Sequence, residues 1–312
     1  VFWVDLPDFT SSVSSLQMQR GVGTSTNGSG AFGASINLLT DAVSENAFAE
    51  VANSVGSFNS LKHTLMFSTG LLNNNIEISG RLSKITSDGY IDRATSDLSS
   101  YFLQGAFQDE NTLIKAIMFG GHEITYQSWF GIDVTTLNKN RTYNPAGEIY
   151  DDNGNLEGHY DRQVDEYLQD HYQFHWNQKL NAYTNLSLGL NYTWGRGAYE
   201  EYKDLWFEQN INFSDDINFS YLGLQPFTIG GTTVDTSENI IKKWLDNDYY
   251  VATFSLNTQK GNTTLNFGAM LSSYIGDHYG ELIFAANASK DCPGIVFMKI
   301  KGKKWKATYT PS

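Results

Sequence analysis

The sequence predicts an all-β fold in which antiparallel strands follow one another as a meander across a membrane, and three observations lead to this prediction. The 312 residues are 14% aromatic and contain 28 glycines but only 5 prolines, a composition that favours strands over helical bundles. Between residues 44 and 284 apolar side chains recur with a period of two. Tight turns alternate with long connections in the same region, as in transmembrane β-barrels.

The clearest strand is predicted at 185–195, where apolar and small or polar side chains occupy opposite faces. Its apolar face carries Leu186, Leu188, Leu190, Tyr192 and Trp194. Strands are also predicted, from the same alternation, at 63–71, 75–84, 100–108, 170–180, 249–257 and 263–273, and two less regular candidates lie at 46–56 and 111–124. Lengths of roughly 10 residues suit a tilted crossing of the hydrocarbon layer.

The connections separate a barrel from a soluble β-sandwich, which has the same period. Tight turns are predicted at 73–75, 109–111, 181–184 and 259–262, and long loops at 86–98, 126–166 and 196–247. Only the short connection at 56–60 breaks the alternation. Aromatic residues at the loop ends of strands fit a membrane interface, and they are Tyr192, Trp194, Tyr249 and Tyr250.

Charge and cysteine content exclude several functions. The net charge of −13 argues against a nucleic-acid partner, which needs a basic face. The single cysteine, Cys292, excludes an internal disulfide and a cysteine-rich metal site. Residues 288–312 hold six lysines and one acid, so this Lys-rich tail differs abruptly in composition from the rest of the chain.

No residue pattern predicts a catalytic centre, a cofactor or a metal. His171 and His175 alternate with aromatic residues, so we expect a strand, on which this spacing separates them by about 13 Å. Residues 151–155 contain calcium-type ligands without the full loop spacing, and an Asn-Gly turn is favoured. The acidic pairs at 200–201 and 215–216 have no nucleophile or histidine at a recognisable spacing, and solvated loop charge accounts for them.

Five glycines, at positions 21, 23, 28, 30 and 33, precede the predicted strands. A phosphate-binding loop would need a Lys-Ser or Lys-Thr pair, which this segment lacks. Instead, QRGVG followed by GSGAFGASINL resembles the end of the plug domain in TonB-dependent outer-membrane receptors. The matching positions are Arg20, Gly21, Gly28, Gly30, Ala31, Gly33, Ile36 and Asn37. Further stretches at 84–101, 140–147, 246–250 and 276–281 are similar to barrel and loop segments of that family.

The resemblance implies the end of a plug at 1–42, the first part of a β-barrel at 43–286, and an atypical tail at 287–312. About nine strands of a 22-stranded barrel would then be present. The implied function is energised uptake of a scarce solute, most often an iron-siderophore or a cobalamin-like compound, without enzymatic activity or a cofactor. The implied partners are the TonB complex, through an N-terminal segment that these residues lack, outer-membrane lipid and a small solute, and the implied location is the outer membrane.

The resemblance also suggests roles for individual residues. Arg20 is expected to pair with an acid of the barrel lumen, with Glu50 or Glu77 as candidates. Gln17 and Gln19 stand where the family usually has a glutamate, and the run typical of glycan importers is absent. Candidate ligand residues in the long loops are Trp129, Arg141, Tyr143, Asn144, Tyr199 and Trp206.

Two alternatives remain at this stage: a soluble β-sandwich binding module and a small passive porin. A closed eight-stranded barrel is filled by its own side chains and leaves no room for a glycine-rich plug segment. A further strand is expected to begin near Glu281, after which the alternation stops. We therefore expect a fragment whose tail comes from a frameshift or a truncated gene.

Overall fold

A computed structural model describes residues 6–21, 33–40, 42–287, 298–300 and 303–307. The strands are β1 (Val13–Arg20), β2 (Ala34–Thr40), β3 (Ala47–Val55), β4 (Leu61–Thr69), β5 (Ile76–Ser87), β6 (Ser96–Gln108), β7 (Thr112–Tyr126), β8 (Glu148–Tyr150), β9 (Leu156–His159), β10 (Val164–Asn181), β11 (Thr184–Lys203), β12 (Phe227–Ile229), β13 (Thr232–Val234), β14 (Asn239–Lys260), β15 (Thr263–Ala285), β16 (Met298–Ile300) and β17 (Lys303–Ala307). The α-helices are α1 (Val134–Lys139), α2 (Leu205–Phe207) and α3 (Phe219–Leu222). Tighter or wider helical turns cover Phe9–Ser12, Glu208–Asn212 and Asp215–Ile217. Among the described residues, no helix is long and apolar enough to cross a membrane.

One long sheet dominates the molecule. Its order is β3-β4-β5-β6-β7-β10-β11-β14-β15, and every neighbouring pair is antiparallel. The sheet is open within the described residues, because β3 lies at one edge while β15 pairs with β17 instead. The predicted meander and all-β class are confirmed, and neither the packed faces of a β-sandwich nor a closed small porin is found in this part of the chain.

Smaller units surround this sheet. β1 pairs with β2 in a separate two-stranded sheet that precedes it. β8 pairs with β9, and β12 pairs with β13, inside the two longest connections. In the tail, β17 runs parallel to β15 and carries β16 on its outer side.

The connections fall on two rims. Tight turns at 70–75, 109–111, 182–183 and 261–262 lie on one rim, and Gly261 has the positive φ of 60° that such a turn requires. The connections 56–60, 88–95, 127–163 and 204–238 lie on the other rim. The predicted division into a turn rim and a loop rim is therefore confirmed.

The strand lengths differ from the prediction of roughly 10 residues. β10, β11, β14 and β15 contain 18, 20, 22 and 23 residues. The long loops are therefore shorter than the predicted 126–166 and 196–247. The predicted strand near Glu281 was also wrong, because Glu281 and Phe284 belong to the end of β15. Near the loop rim both faces of the later strands are polar or mixed, so the alternation that marks a strand is lost there.

The two faces of the sheet differ in chemistry. Leucine and phenylalanine side chains cover the outer face, and many are exposed, as expected of a surface that meets lipid. Examples are Leu65, Phe67, Leu82, Leu103, Phe107, Phe174, Leu190, Phe254, Phe267 and Leu271. The alternate positions form an inner face of largely polar side chains, including Arg81, Gln104, Gln169, His171 and Thr193.

A row of tyrosines crosses the outer face. Tyr172, Tyr192 and Tyr250 are register partners on β10, β11 and β14, and their neighbouring ring centroids lie 5.9 Å and 4.8 Å apart. The Tyr192 hydroxyl donates to Asp248 Oδ1 at 2.6 Å, at the level where polar side chains begin. The predicted interfacial position of Tyr249 was wrong, because its register partner is the inner-face residue Thr193.

Candidate functional site

The inner face carries the segment 6–12, which crosses the sheet without joining it. Leu6 and Phe9 pack against a buried cluster of Phe102, Ile117 and Phe119. The Phe9 ring centroid lies 4.5 Å from that of Phe119. On its other side Phe119 stacks on His171, also with 4.5 Å between ring centroids. This aromatic contact fixes the segment against β6, β7 and β10.

The carboxylate of Asp8 lies in a pocket of donors on the wall of the sheet. Lys62 Nζ contacts Asp8 Oδ1 at 2.6 Å, and Arg81 Nη1 contacts Asp8 Oδ2 at 3.0 Å. The Ser83 hydroxyl donates to the same Oδ2 at 2.5 Å. Arg81 Nε donates to Ser12 Oγ at 2.7 Å, so this guanidinium contacts the segment at two points. We call Lys62, Arg81, Ser83 and Ser100, whose hydroxyl accepts from Arg81 Nη1 at 3.0 Å, the wall pocket.

The wall pocket sets the ionisation of Asp8. Burial by itself would raise the pKa of Asp8, but hydrogen bonds from Lys62, Ser11 and Ser83 and the charge of Arg81 lower the pKa below its usual value. The carboxylate is therefore ionised at neutral pH. Its side chain is only 5% exposed, so this is a partly dehydrated ion pair.

Sequence reasoning missed Asp8 and its partners, although one signal was available. Leu65 and Leu82 belong to the apolar face of predicted strands, so Lys62 and Arg81 fall on the opposite, polar face. Two cations at neighbouring positions of a lumen-facing surface require an anion. The alternation of apolar and polar residues does not show which residue of the chain supplies that anion.

The predicted pairing of Arg20 does not form among the described residues. Arg20 ends β1, is exposed, and has Ala34 as its register partner. Glu77 instead accepts hydrogen bonds from the Ser44 backbone and the Ser68 hydroxyl, and Glu50 is exposed. The ion pair between the N-terminal segment and the wall thus has the opposite polarity to the predicted one.

Other residues of the glycine-rich motif are partly described. Gly21 has a positive φ of 81°, and its backbone N–H donates to the Gly33 carbonyl at 2.8 Å. Ile36 and Asn37 lie in β2, opposite Met18 and Gln17. Gly28, Gly30 and Ala31 lie outside the described residues.

The predicted loop residues separate into exposed and structural ones. Trp129 is 56% exposed and packs edge-on against Tyr199, with 5.6 Å between ring centroids. Arg141 is exposed. Asn144 is buried, and its amide donates to the Asp92 and Gln127 carbonyls.

The remaining two predicted loop residues, Tyr143 and Trp206, both contact the connection 127–163. The Tyr143 hydroxyl donates to Glu148 at 2.7 Å. Trp206 packs on Tyr150, with ring centroids 4.9 Å apart. Of the six predicted loop residues, only Trp129, Tyr199 and Arg141 therefore remain candidates for contact with a solute.

A buried ionic cluster holds the connection 204–238 to the loop-rim ends of β11 and β14. Lys203, whose side chain is 8% exposed, lies 3.4 Å from Glu201, 3.7 Å from Glu208 and 3.2 Å from Asp216. Lys243 adds contacts of 2.8 Å to Glu201 and 2.9 Å to Asp216. The acids at 201 and 216 are thus paired with cations, which corrects their interpretation as solvated loop charge.

The acids of this cluster respond differently to burial. Burial raises the pKa of Glu208 above its usual value despite the charge of Lys203. For Asp216 burial acts in the same direction, but the charges of Lys203 and Lys243 outweigh it and lower the pKa. Beside the cluster, Phe219, Leu222, Ile241 and Leu282 form an apolar core that joins the same connection to β14 and β15.

The histidines and the other acidic motifs have structural partners. His171 and His175 lie on a strand, as predicted, and His171 Nδ1 is 2.9 Å from the Thr193 hydroxyl. Asp151 accepts from the backbones of Asn153 and Asn155, and Gly154 completes the turn with a positive φ of 81°. Among the described residues, no group of three or more His, Cys, Asp or Glu side chains is arranged to hold a metal ion.

The fold of this chain is similar to the folds of several solved receptor structures. The siderophore receptor PiuA from Acinetobacter baumannii is similar with a TM-score of 0.60 and 14% identity, over 86% of this chain and 36% of that one. The ferric-catecholate import receptor Fiu from E. coli K12 is similar with a TM-score of 0.59 and 12% identity, over 86% of this chain and 40% of that one. The ferripyoverdine receptor of the outer membrane of Pseudomonas aeruginosa is similar with a TM-score of 0.56 and 13% identity, over 86% of this chain and 33% of that one.

These comparisons confirm the predicted fold, a partial antiparallel β-barrel. The chain spans between a third and two fifths of the length of these structures. No family model matches the sequence, and no curated protein matches it at a significant level.

Proposed function

We propose that these residues are the end of the plug and the first nine strands of the barrel of a TonB-dependent outer-membrane receptor that imports an iron-siderophore. The observation that carries the proposal is the contact of Asp8 with Lys62 and Arg81 on the inner face. A segment preceding the strands that fills the lumen side through side chains is what a plug inside a barrel requires. A passive porin needs an unobstructed lumen instead.

The surfaces of the sheet support an outer-membrane location. The exposed leucines and phenylalanines of the outer face would form a very large apolar patch in water, whereas lipid accommodates them. The row of Tyr172, Tyr192 and Tyr250 fits the aromatic girdle at one membrane interface. The long connections would then face the outside, where a solute arrives.

The domain boundaries are part of the proposal. We assign 1–42 to the plug, because β1 and β2 pair with each other, and 43–286 to the barrel, because the long sheet begins with β3. Residues 287–312 form the atypical tail. The TonB complex would act through a part of the plug that precedes these residues, and mechanical withdrawal of the plug would couple energy to uptake.

An iron chelate is favoured over a cobalamin-like compound because the similar structures named above are described as a siderophore receptor, a ferric-catecholate import receptor and a ferripyoverdine receptor. On this chain, Trp129 and Tyr199 provide an aromatic surface at the loop rim, and Arg141 an exposed cation. Such groups suit a bulky anionic chelate. Uptake of this kind involves differential binding and no covalent chemistry.

The test is uptake by the full-length protein that contains these residues, expressed in a receptor-deficient strain under iron limitation. Growth on at least one ferric chelate of a panel, dependent on TonB, is the expected result. A cobalamin-dependent strain provides the parallel assay. Growth on cobalamin alone would contradict the siderophore assignment, and uptake without TonB would contradict the receptor class.

A further inference from the structure

We propose that the wall pocket is an anion-binding site in its own right, filled in this state by the carboxylate of Asp8 and open to a carboxylate-bearing solute once the segment 6–12 withdraws. The pocket itself follows from the contacts of Lys62, Arg81, Ser83 and Ser100. The passage of a solute over it rests on the proposed function.

The geometry is that of a receptor for a carboxylate. Both oxygens of Asp8 are bound from the wall: Oδ1 by Lys62 at 2.6 Å, and Oδ2 by Arg81 at 3.0 Å and Ser83 at 2.5 Å. Ser100 accepts from the same Nη1 of Arg81 and so fixes the direction of the guanidinium. The donors to Asp8 belong to β4 and β5, and Ser100 belongs to the neighbouring β6, so the pocket is positioned by the sheet rather than by the segment.

The two cations of the wall pocket belong to the sheet, whereas the carboxylate of Asp8 that pairs with them belongs to the segment 6–12. Lys62 and Arg81 form their ion pairs with the same carboxylate, which is carried by the segment. Departure of the segment takes this carboxylate away from both cations at once. Lys62 and Arg81 then lie on the uncovered wall, where the carboxylate of a solute can take the place of Asp8.

The segment is attached in a way that permits departure. Among the described residues no backbone hydrogen bond joins it to the sheet, and its backbone bonds are local: the Ser11 N–H donates to the Asp8 carbonyl at 3.2 Å, and the Val13 N–H donates to the Thr10 carbonyl. Asp8 has a positive φ of 53°, a left-handed conformation that carries backbone strain. Withdrawal therefore breaks side-chain contacts and relieves backbone strain, while every strand pair of the sheet stays intact.

The decisive experiment uses acetate as the probe and the full-length protein with Asp8→Ala, which empties the pocket of its internal carboxylate. Acetate binding is measured by calorimetry in detergent at pH 7 and constant ionic strength, with chloride as the balancing anion. We expect acetate to bind Asp8→Ala at least tenfold more tightly than it binds the unaltered protein. The double variant Asp8→Ala with Arg81→Gln should lose that gain.

A second variant covers the case in which Asp8→Ala does not fold. Phe9→Ala removes the contact of the segment with Phe119 and changes no residue of the wall pocket. It should gain acetate binding in the same way. Equal acetate affinity in all variants, or binding of phosphate without acetate, would overturn the carboxylate site. Because this assay needs no transport, its failure would leave the proposed uptake function standing, and failed uptake would leave the pocket standing.

Discussion

Gly121 of β7 lies directly beneath Pro7 of the N-terminal segment. A β-carbon added to this glycine would be 2.5 Å from Pro7 Cγ and 2.9 Å from the Ser99 carbonyl oxygen, which is closer than packed atoms approach. Only a residue without a side chain lets the segment lie flat on the inner face here. Gly121 and the wall pocket therefore both determine where the segment packs on the sheet.

Gly121→Ala should therefore loosen the segment while the barrel strands remain paired. The overpacking is expected to cost about 1–3 kcal/mol. Hydrogen exchange of residues 6–12, followed by mass spectrometry, should become faster. Gly105→Ala is the matched control, because a β-carbon there meets no atom within 4 Å. Equal exchange in the two variants would contradict the close contact.

The attachment of the segment should also weaken in acid. The pKa of Asp8 is lowered in the folded state, so its stabilising effect is complete above the unfolded pKa of about 3.9 and is lost as the pH falls through the folded value. After correction for intrinsic exchange rates, protection of residues 6–12 should fall below about pH 4.

Asp8→Asn provides the comparison for this titration. It keeps the size of the side chain, removes the charge, and should cost about 1–3 kcal/mol of segment attachment, because one partner of the pair is partly exposed. Protection in this variant should be low and insensitive to pH between 3 and 6. A titration that persists in Asp8→Asn would assign the effect to another group.

Sequence reasoning predicted the sheet well where lipid imposes different chemistry on its two faces. In β11 the alternation of Leu188 and Leu190 with Ser187 and Asn191 identifies the strand without further information. Beyond Gly195 the strand continues to Lys203 although both faces lie outside the apolar band, so no period remains to reveal it. Sequence pattern therefore marks the membrane-facing part of a strand and not its end.

Much of the candidate site could not be predicted, for a related reason. The pairing of Asp8 with Arg81 joins residues 73 positions apart through a left-handed turn, and no local pattern encodes such a contact. Trp129 and Tyr199 were predicted as loop residues from their type alone, whereas their edge-on contact depends on the fold of the connection 127–163. Asn144 has the same loop composition around it and is nevertheless buried.

Lys203→Met should release the connection 204–238. The lysine is buried among Glu201, Glu208 and Asp216, so its removal leaves acids with too few cations and should cost about 3 kcal/mol. Limited proteolysis should cut this connection faster. Lys139→Met, at an exposed position of α1, is the control and should leave cleavage unchanged.

Glu208→Gln should behave in the opposite way to Lys203→Met. Burial raises the pKa of Glu208, which means that its ionised form is disfavoured in the folded state. A neutral amide of the same size should therefore be tolerated or should slow cleavage. Faster cleavage than in the unaltered protein would show that the charge of Glu208 is needed.

The tyrosine row should stabilise the barrel at its membrane interface. Tyr192 stacks between Tyr172 and Tyr250, and such ring contacts contribute about 0.5–1.5 kcal/mol each. Tyr192→Ala should lower the temperature at which heat-modifiable gel migration changes. Tyr192→Phe keeps the rings and loses only the bond to Asp248, so a smaller decrease is expected. Equal decreases would assign the effect to the hydroxyl.

Trp129→Ala should weaken binding of the chelate proposed as the solute about tenfold, or about 1.4 kcal/mol, without lowering thermal stability. The side chain is exposed and contributes to the aromatic surface with Tyr199. Leu156→Ala, an exposed apolar residue of the same connection, is the control. An unchanged dissociation constant for Trp129→Ala would remove this residue from the contact surface.

The strands lengthen along the chain, from 9 residues in β3 to 23 in β15, while tight turns join neighbouring strands on the turn rim. With about 3.4 Å per residue and a tilt near 40°, the later strands rise roughly 35 Å further than the first. The loop rim of the sheet is consequently much higher at β14 and β15 than at β3 and β4. Under the proposed function, a solute that arrives at the loop rim would meet a low wall above β3 and β4 and a high wall above β14 and β15, so its capture would depend on the side from which it comes.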